Sequence, residues 1–187
     1  MAFVENYVEG VTVCLQELLQ QNVAEIADAI LKAQKDGRQI YIMGNGGSAA
    51  TASHFANDLK LRTTVEGKPG IRVTSLTDNI AIITAIGNDT DYSSIFMEQL
   101  VGRLTEGDVV IGISASGNSP NVLKAMEFAK SNGAITVGFI GFNGGKLKEL
   151  SDKCVVLSSS SYEQIEDTHL CLAHILACLV REGMANA

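Results

Sequence analysis

Apolar residues recur at helical spacing through the first 35 residues. Val4, Val8, Val11, Leu15 and Leu18 are spaced by four and three, and Leu19, Val23, Ile26 and Ile30 continue on a neighbouring stripe. The pattern predicts one long helix or a helix pair over 2–35, with its apolar stripe packed on the chain's own core or on another subunit. After residue 36 the pattern changes. Short, continuous apolar runs at 39–43, 71–76, 109–113, 135–140 and 154–157 predict strands buried on both faces. Helical segments are expected at 48–62, 78–87, 93–104, 119–132 and 144–150, with a last helix over 163–182. Strand–helix alternation of this kind predicts a three-layer α/β/α sandwich around a five-stranded parallel sheet. Ligands of such sheets bind beyond the carboxyl ends of the strands, near the topological switch point.

Composition narrows the function classes. A chain of 187 residues, 46% hydrophobic and with only two prolines, fits one domain (1–187) with a real core and no disordered linker. Its expected division is a helical segment, 1–35, and an α/β body, 36–187. The opening MAFVENYVEG lacks a basic stretch, so no signal peptide is expected, and no apolar run is long enough to span a bilayer. The formal net charge of −7 argues against a nucleic-acid partner. It leaves a phosphate ligand open, since backbone N–H groups and hydroxyls hold phosphate without many cations. Cys14, Cys154, Cys171 and Cys178 form no C-x-x-C pair and suit reduced thiols in a cytoplasmic protein.

Two turns carry candidate chemistry. Gly44-Asn45-Gly46-Gly47-Ser48 follows the first strand and opens a helix. Its glycines permit positive φ and close approach of a ligand, and the helix start aims free N–H groups at an anion. Neither the Walker A nor the G-x-G-x-x-G spacing is present. The second turn, Ser114-Ala115-Ser116-Gly117-Asn118-Ser119, offers three hydroxyls within six residues. Ser119 before Pro120 reads as a helix N-cap, whereas Ser114 and Ser116 exceed what capping requires. Elsewhere, His54 and Asp58 share a helix face at i and i+4, which is half of a metal site or a surface pair. Asn88-Asp89 reads as a turn.

The two turns, each after a buried strand, resemble the sugar isomerase (SIS) domain family over nearly the whole chain. More narrowly, GNGGSAATASHFANDL, Asn88-Asp89, GDVVIGISASGNSPNVLKA and the helix containing His174 are similar to the sedoheptulose-7-phosphate (phosphoheptose) isomerase family. That resemblance implies a homotetramer with active sites at subunit interfaces and a sugar-phosphate substrate. The implied reaction takes D-sedoheptulose 7-phosphate to D-glycero-D-manno-heptose 7-phosphate, with Zn2+ or another divalent metal as cofactor.

The resemblance also implies roles for residues. Asn45, Gly46, Gly47, Ser48, Ser114, Ala115, Ser116 and Ser119 fall on the phosphate and sugar grip. Asp58, Arg62, Asn88, Asp89 and Glu166 fall on sugar contacts. His54, Asp58, Glu166 and His174 fall on the metal set, with Asp58 and His174 as catalytic residues. Three positions depart from the family pattern: Asp58 stands for Glu, Glu166 for Gln, and Ala115 for the usual threonine. The first two together leave open whether Asp58 or Glu166 is the base. Glu166 and His174 are eight residues apart, about 12 Å along a helix, so one helix can hardly offer both to one metal. His169 reads as a satisfied helix histidine, or as a substitute for His174 in the metal shell. Alternative functions are isomerisation of a different ketose or aldose phosphate, or a non-catalytic regulator that binds the replication initiator. A sugar-phosphate sensor attached to a DNA-binding domain has no room in this length.

Overall fold

The computed structural model describes residues 1–186. The N-terminal stripe resolves into two helices, α1 (Ala2–Glu17) and α2 (Val23–Lys35), joined by a single 3-10 turn, Leu18–Gln20. Gln21 is extended there and its side chain bonds the backbone of Val156, donating to the carbonyl (2.9 Å) and accepting from the N–H (3.3 Å). The break is thus fastened to the edge of the sheet. α2 buries Val23, Ile26, Ala27, Ala29, Ile30 and Ala33, whereas α1 buries only Cys14.

The sheet comprises β1 (Gln39–Gly44), β2 (Arg72–Ser75), β3 (Val109–Ser114), β4 (Ile135–Ile140) and β5 (Lys153–Val156). Their order is β2-β1-β3-β4-β5 and every pairing is parallel. The three central strands are almost wholly buried, and the edge strands are partly exposed, as their positions require. Helices α3 (Gly47–Leu61), α4 (Ile80–Asp89), α5 (Met97–Leu100), α6 (Pro120–Ser131), α7 (Gly145–Leu150) and α8 (Tyr162–Asn186) complete the chain. On one face Ile26, Ile30, Phe55, Leu59, Leu172 and Leu176 pack under α2, α3 and α8. On the other, Phe96, Leu100, Val122, Met126 and Leu147 pack under α5, α6 and α7. Each such buried side chain contributes roughly 1.5–3 kcal/mol. The result is the expected α/β/α sandwich. No helix among the described residues is long and apolar enough to cross a membrane.

The helix expected over 93–104 does not form as one element. Ser93 and Ser94 donate to the Asp91 carboxylate and hold a 3-10 turn at Tyr92–Ser94. Only Met97–Leu100 is α-helical before Gly102 takes a positive φ of 71°. Local serine-to-carboxylate bonds compete with the helix ladder there.

β2 lies on one side of β1 and β3 on the other, so the topological switch falls between β1 and β3. Both Gly/Ser turns leave the carboxyl ends of these two strands. The fold therefore brings turns 70 residues apart in sequence to one crevice.

His169, on α8, is fully buried against Phe139. Its Nε2 lies 3.3 Å from the Ile140 carbonyl, while Nδ1 has no partner. The ring is therefore only half satisfied, and it stands apart from the other histidines. Burial lowers its pKa from 6.5 to about 4. The folded state resists protonation more than the unfolded one, so stability present above pH 6.5 is lost as pH falls towards 4. That loss is on the order of 3 kcal/mol. Urea midpoints measured across this window are expected to fall with pH, and the slope is expected to flatten in His169→Gln.

Candidate active site

The first turn places Gly46, at a φ of 56°, immediately before α3. The second turn lies beside it and keeps Gly117 at a φ of 64°. Between them is a cavity of about 150 Å3 lined by Asn45, Ser48, Ser114, Ala115, Ser116, Ser119, Tyr162 and Glu166. Ser119 does take the N-cap position of α6, but its hydroxyl makes no cap bond; it lies 3.0 Å from the Ser114 hydroxyl. Capping therefore does not consume Ser119, and the hydroxyl pair faces the cavity. Ser116 Oγ accepts the Asn118 N–H (3.2 Å) and shapes the turn. Four serine hydroxyls and the unpaired first amides of α3 could seat a phosphoryl group.

Glu166 reaches this seat from α8. A Cβ built on Gly47 would meet its Oε2 at 2.1 Å, so the carboxylate lies flat on the start of α3. The helix dipole favours an anion there, and Glu166 already sits at that positive end. Burial raises its pKa, with Glu163 and Asp167 adding like charge.

The second cluster lies two helical turns further along. α3 and α8 run side by side, and His54 Nε2 and His174 Nε2 come within 2.9 Å. Asp58 Oδ2 lies 3.4 Å from the first and 3.6 Å from the second. Asp58 Oδ1 accepts from Arg62 Nε at 2.8 Å. The Asp58 side chain is 2% exposed, against 43% for His54 and 50% for His174. The arginine thus locks one oxygen and leaves the other turned to the imidazoles. These three ligand atoms all lie within 4.8 Å of one another. Tetrahedral zinc with bonds of about 2.0–2.2 Å separates its ligand atoms by about 3.3–3.6 Å, and the observed triangle is close to that. Glu166 does not join the three: of the four expected metal ligands, the fold gathers His54, Asp58 and His174 and sends Glu166 to the phosphate seat. His169 is excluded by its burial.

Asn88 and Asp89 close α4 and are exposed, with Asn88 donating to Asp89 (2.8 Å). They touch neither cluster directly. The segment that follows reaches the first turn through Tyr92, whose hydroxyl donates to Asn45 Oδ1 (3.2 Å). A larger cavity, about 660 Å3 between the ends of α2 and α8, holds none of the candidate residues.

A model described as "SIS domain" matches residues 6–141. A phosphoheptose isomerase of Trichlorobacter lovleyi is 42% identical over 162 residues, 87% of this chain and 82% of that protein. One from Aneurinibacillus thermoaerophilus is 40% identical over 169 residues, covering 90% and 84%. The chain belongs to the SIS domain family. The solved phosphoheptose isomerase of Neisseria gonorrhoeae superposes with a TM-score of 0.86 over 95% of each chain, at 27% identity.

Within this SIS domain, several further residues shape the site without a strong sequence motif. Buried Asn121 exchanges amide bonds with Asn45 in both directions (2.9 and 2.8 Å) and locks the first turn to α6. Its only sequence signal is a polar residue just after a helix-opening proline. Tyr162 lines the phosphate seat without any motif. Cys178 and Arg181 share a cavity of about 210 Å3 with Asp58, Arg62 and His174. Their spacing of four and seven from His174 puts them on its helix face, a signal present in the sequence.

Proposed function

We propose that this protein interconverts D-sedoheptulose 7-phosphate and D-glycero-D-manno-heptose 7-phosphate. One observation carries the reading: a phosphate seat and a His54–Asp58–His174 cluster lie along the same pair of adjacent helices. Residues 166 and 174 mark their separation, about 12 Å of helix axis. An open-chain heptose phosphate spans it, with phosphate at the serines and C1–C2 at the cluster.

In this reading Ser48, Ser114, Ser116 and Ser119 hold the phosphate and fix the chain's register. Asp58 Oδ2 takes the proton from C1 of the ketose and returns it at C2. His174 gives a proton to the C2 oxygen and receives one from the C1 hydroxyl, so no net charge is left. Arg62 keeps Asp58 oriented. In the metal-loaded protein Zn2+ would be held by His54, Asp58 and His174, and it would take over from His174 the polarisation of the carbonyl. Elemental analysis of the purified protein is expected to find a stoichiometric divalent ion, lost in His54→Ala.

Glu166 sets phosphate affinity rather than serving as base. Removing one like charge near the phosphate is worth about 1 kcal/mol, so Glu166→Gln is expected to lower KM about fivefold and to keep proton exchange. Loss of exchange in that variant, with exchange retained in Asp58→Asn, would reverse the assignment.

The assembly we propose is a cytoplasmic homotetramer with residues 1–35 as its oligomerisation segment. Phe3, Val4 and Val8 on α1 are exposed, and α4 buries none of its residues although Ile80 and Ile82 stand on it. Such apolar surface fits subunit contacts. α4 also ends at Asn88-Asp89, which suits a site shared across an interface. The four cysteines are free, in keeping with a reducing compartment. Incubation with sedoheptulose 7-phosphate and with shorter ketose phosphates tests the substrate. Aldose formation is expected to be fastest with the heptulose; faster turnover of a shorter sugar would reassign it.

A further inference from the structure

Three arginines at the opposite end of the sheet take no part in this chemistry. Arg38 precedes β1, Arg72 opens β2, and Arg103 lies between α5 and β3. They converge on one cavity of about 280 Å3, at the amino ends of the strands. Two of them are tethered. Arg72 Nη1 donates to the Gly37 carbonyl (3.1 Å), and the Arg103 guanidinium lies 5.8 Å from the centre of the Tyr41 ring. The Tyr41 hydroxyl in turn donates to the Arg103 carbonyl (3.3 Å).

One carboxylate, Asp108, also lines the cavity, and its oxygens are already engaged. Oδ1 accepts from the Gln39 N–H (2.9 Å), and Oδ2 from the N–H and hydroxyl of Thr105 (2.8 and 3.1 Å). Among the described residues none of the three guanidiniums forms an ion pair. Three cations against one buried anion make a local positive site in a chain of net charge −7. Gathering like charges costs energy that a bound anion offsets. Arginine forks match phosphate oxygens in bidentate fashion.

We propose that this cavity is a second anion site, binding a phosphorylated small molecule that carries two or more negative charges. The size of the cavity and the acidity of the rest of the chain favour a small ligand over a nucleic acid, which needs an extended basic surface. The site is independent of the isomerase chemistry.

Pyrophosphate is the probe, titrated calorimetrically into the metal-loaded protein. Arg38→Gln/Arg72→Gln/Arg103→Gln is expected to lose one class of pyrophosphate site, weakened by at least about tenfold, with kcat/KM for the sugar phosphate within about twofold of wild type. Ser114→Ala/Ser116→Ala/Ser119→Ala is expected to retain that class. Unchanged pyrophosphate binding in the arginine variant, or loss of all binding in the serine variant, overturns the proposal. So does binding of a single-stranded RNA oligomer, but not pyrophosphate, through the arginines. Should the triple variant fail to fold, Arg38→Gln alone removes an exposed side chain and is expected to weaken the same class; no change there also overturns it.

Discussion

Replacing His174 with glutamine is expected to lower kcat by about 10²–10⁴-fold, the usual worth of a positioned acid–base group. His174 is half exposed on α8, so its loss opens no core cavity and the folded state is expected to survive. Its Nε2 faces His54 and Asp58, and the phosphate seat stands about 12 Å away along the helix. The loss should therefore fall on kcat, with KM changing little. Steady-state kinetics beside a thermal melt separates the two. An unchanged kcat would remove His174 from the chemistry, and a collapsed melting temperature would make its role structural.

Gly117→Ala is expected to have the second large effect, on both stability and phosphate binding. Gly117 holds a φ of 64°, a conformation costing an alanine roughly 1–2 kcal/mol. An added Cβ would also meet the Gly144 carbonyl oxygen at 2.1 Å and its carbon at 2.8 Å. Backbone cannot swing aside as a side chain does. The Gly117 carbonyl additionally accepts the Leu147 N–H (2.9 Å), tying the turn to α7. The combined cost is about 2–4 kcal/mol of stability, read as a lower urea midpoint. A displaced turn separates Ser114 and Ser116 from the start of α3, so KM for the sugar phosphate should rise at least about tenfold, the loss of one or two hydrogen bonds to a charged group. Gly47→Ala makes a useful contrast. The atoms nearest its Cβ all belong to the carboxylate of Glu166, the far end of a flexible side chain, so the change should cost much less stability.

The sheet was legible because β1, β3 and β4 are buried on both faces and so appear as unbroken apolar runs. The two turns followed from glycine and serine at strand ends, whereas the switch point between β1 and β3 depends on strand order, which strand–helix alternation does not give. Tertiary contacts hid other features. The break between α1 and α2 involves neither glycine nor proline; it depends on Gln21 bonding an edge strand 135 residues away. The expected helix over 93–104 failed because Asp91, just outside the window, captures Ser93 and Ser94. Ser119 stood where an N-cap belongs, yet its hydroxyl turns to Ser114. For the site, i,i+4 spacing paired His54 with Asp58. That His174 would meet them, and Glu166 would not, depended on the register of α3 against α8, which no local pattern encodes.

In the proposed reaction Asp58 and His174 move a proton between C1 and C2 of a phosphorylated ketose. The direct test is incubation of the purified protein with sedoheptulose 7-phosphate in deuterated water, followed by NMR. Deuterium is expected to enter C1 of the ketose and C2 of the aldose, and the exchange should vanish in Asp58→Asn. Absence of exchange at either carbon, with zinc supplied, would contradict the account.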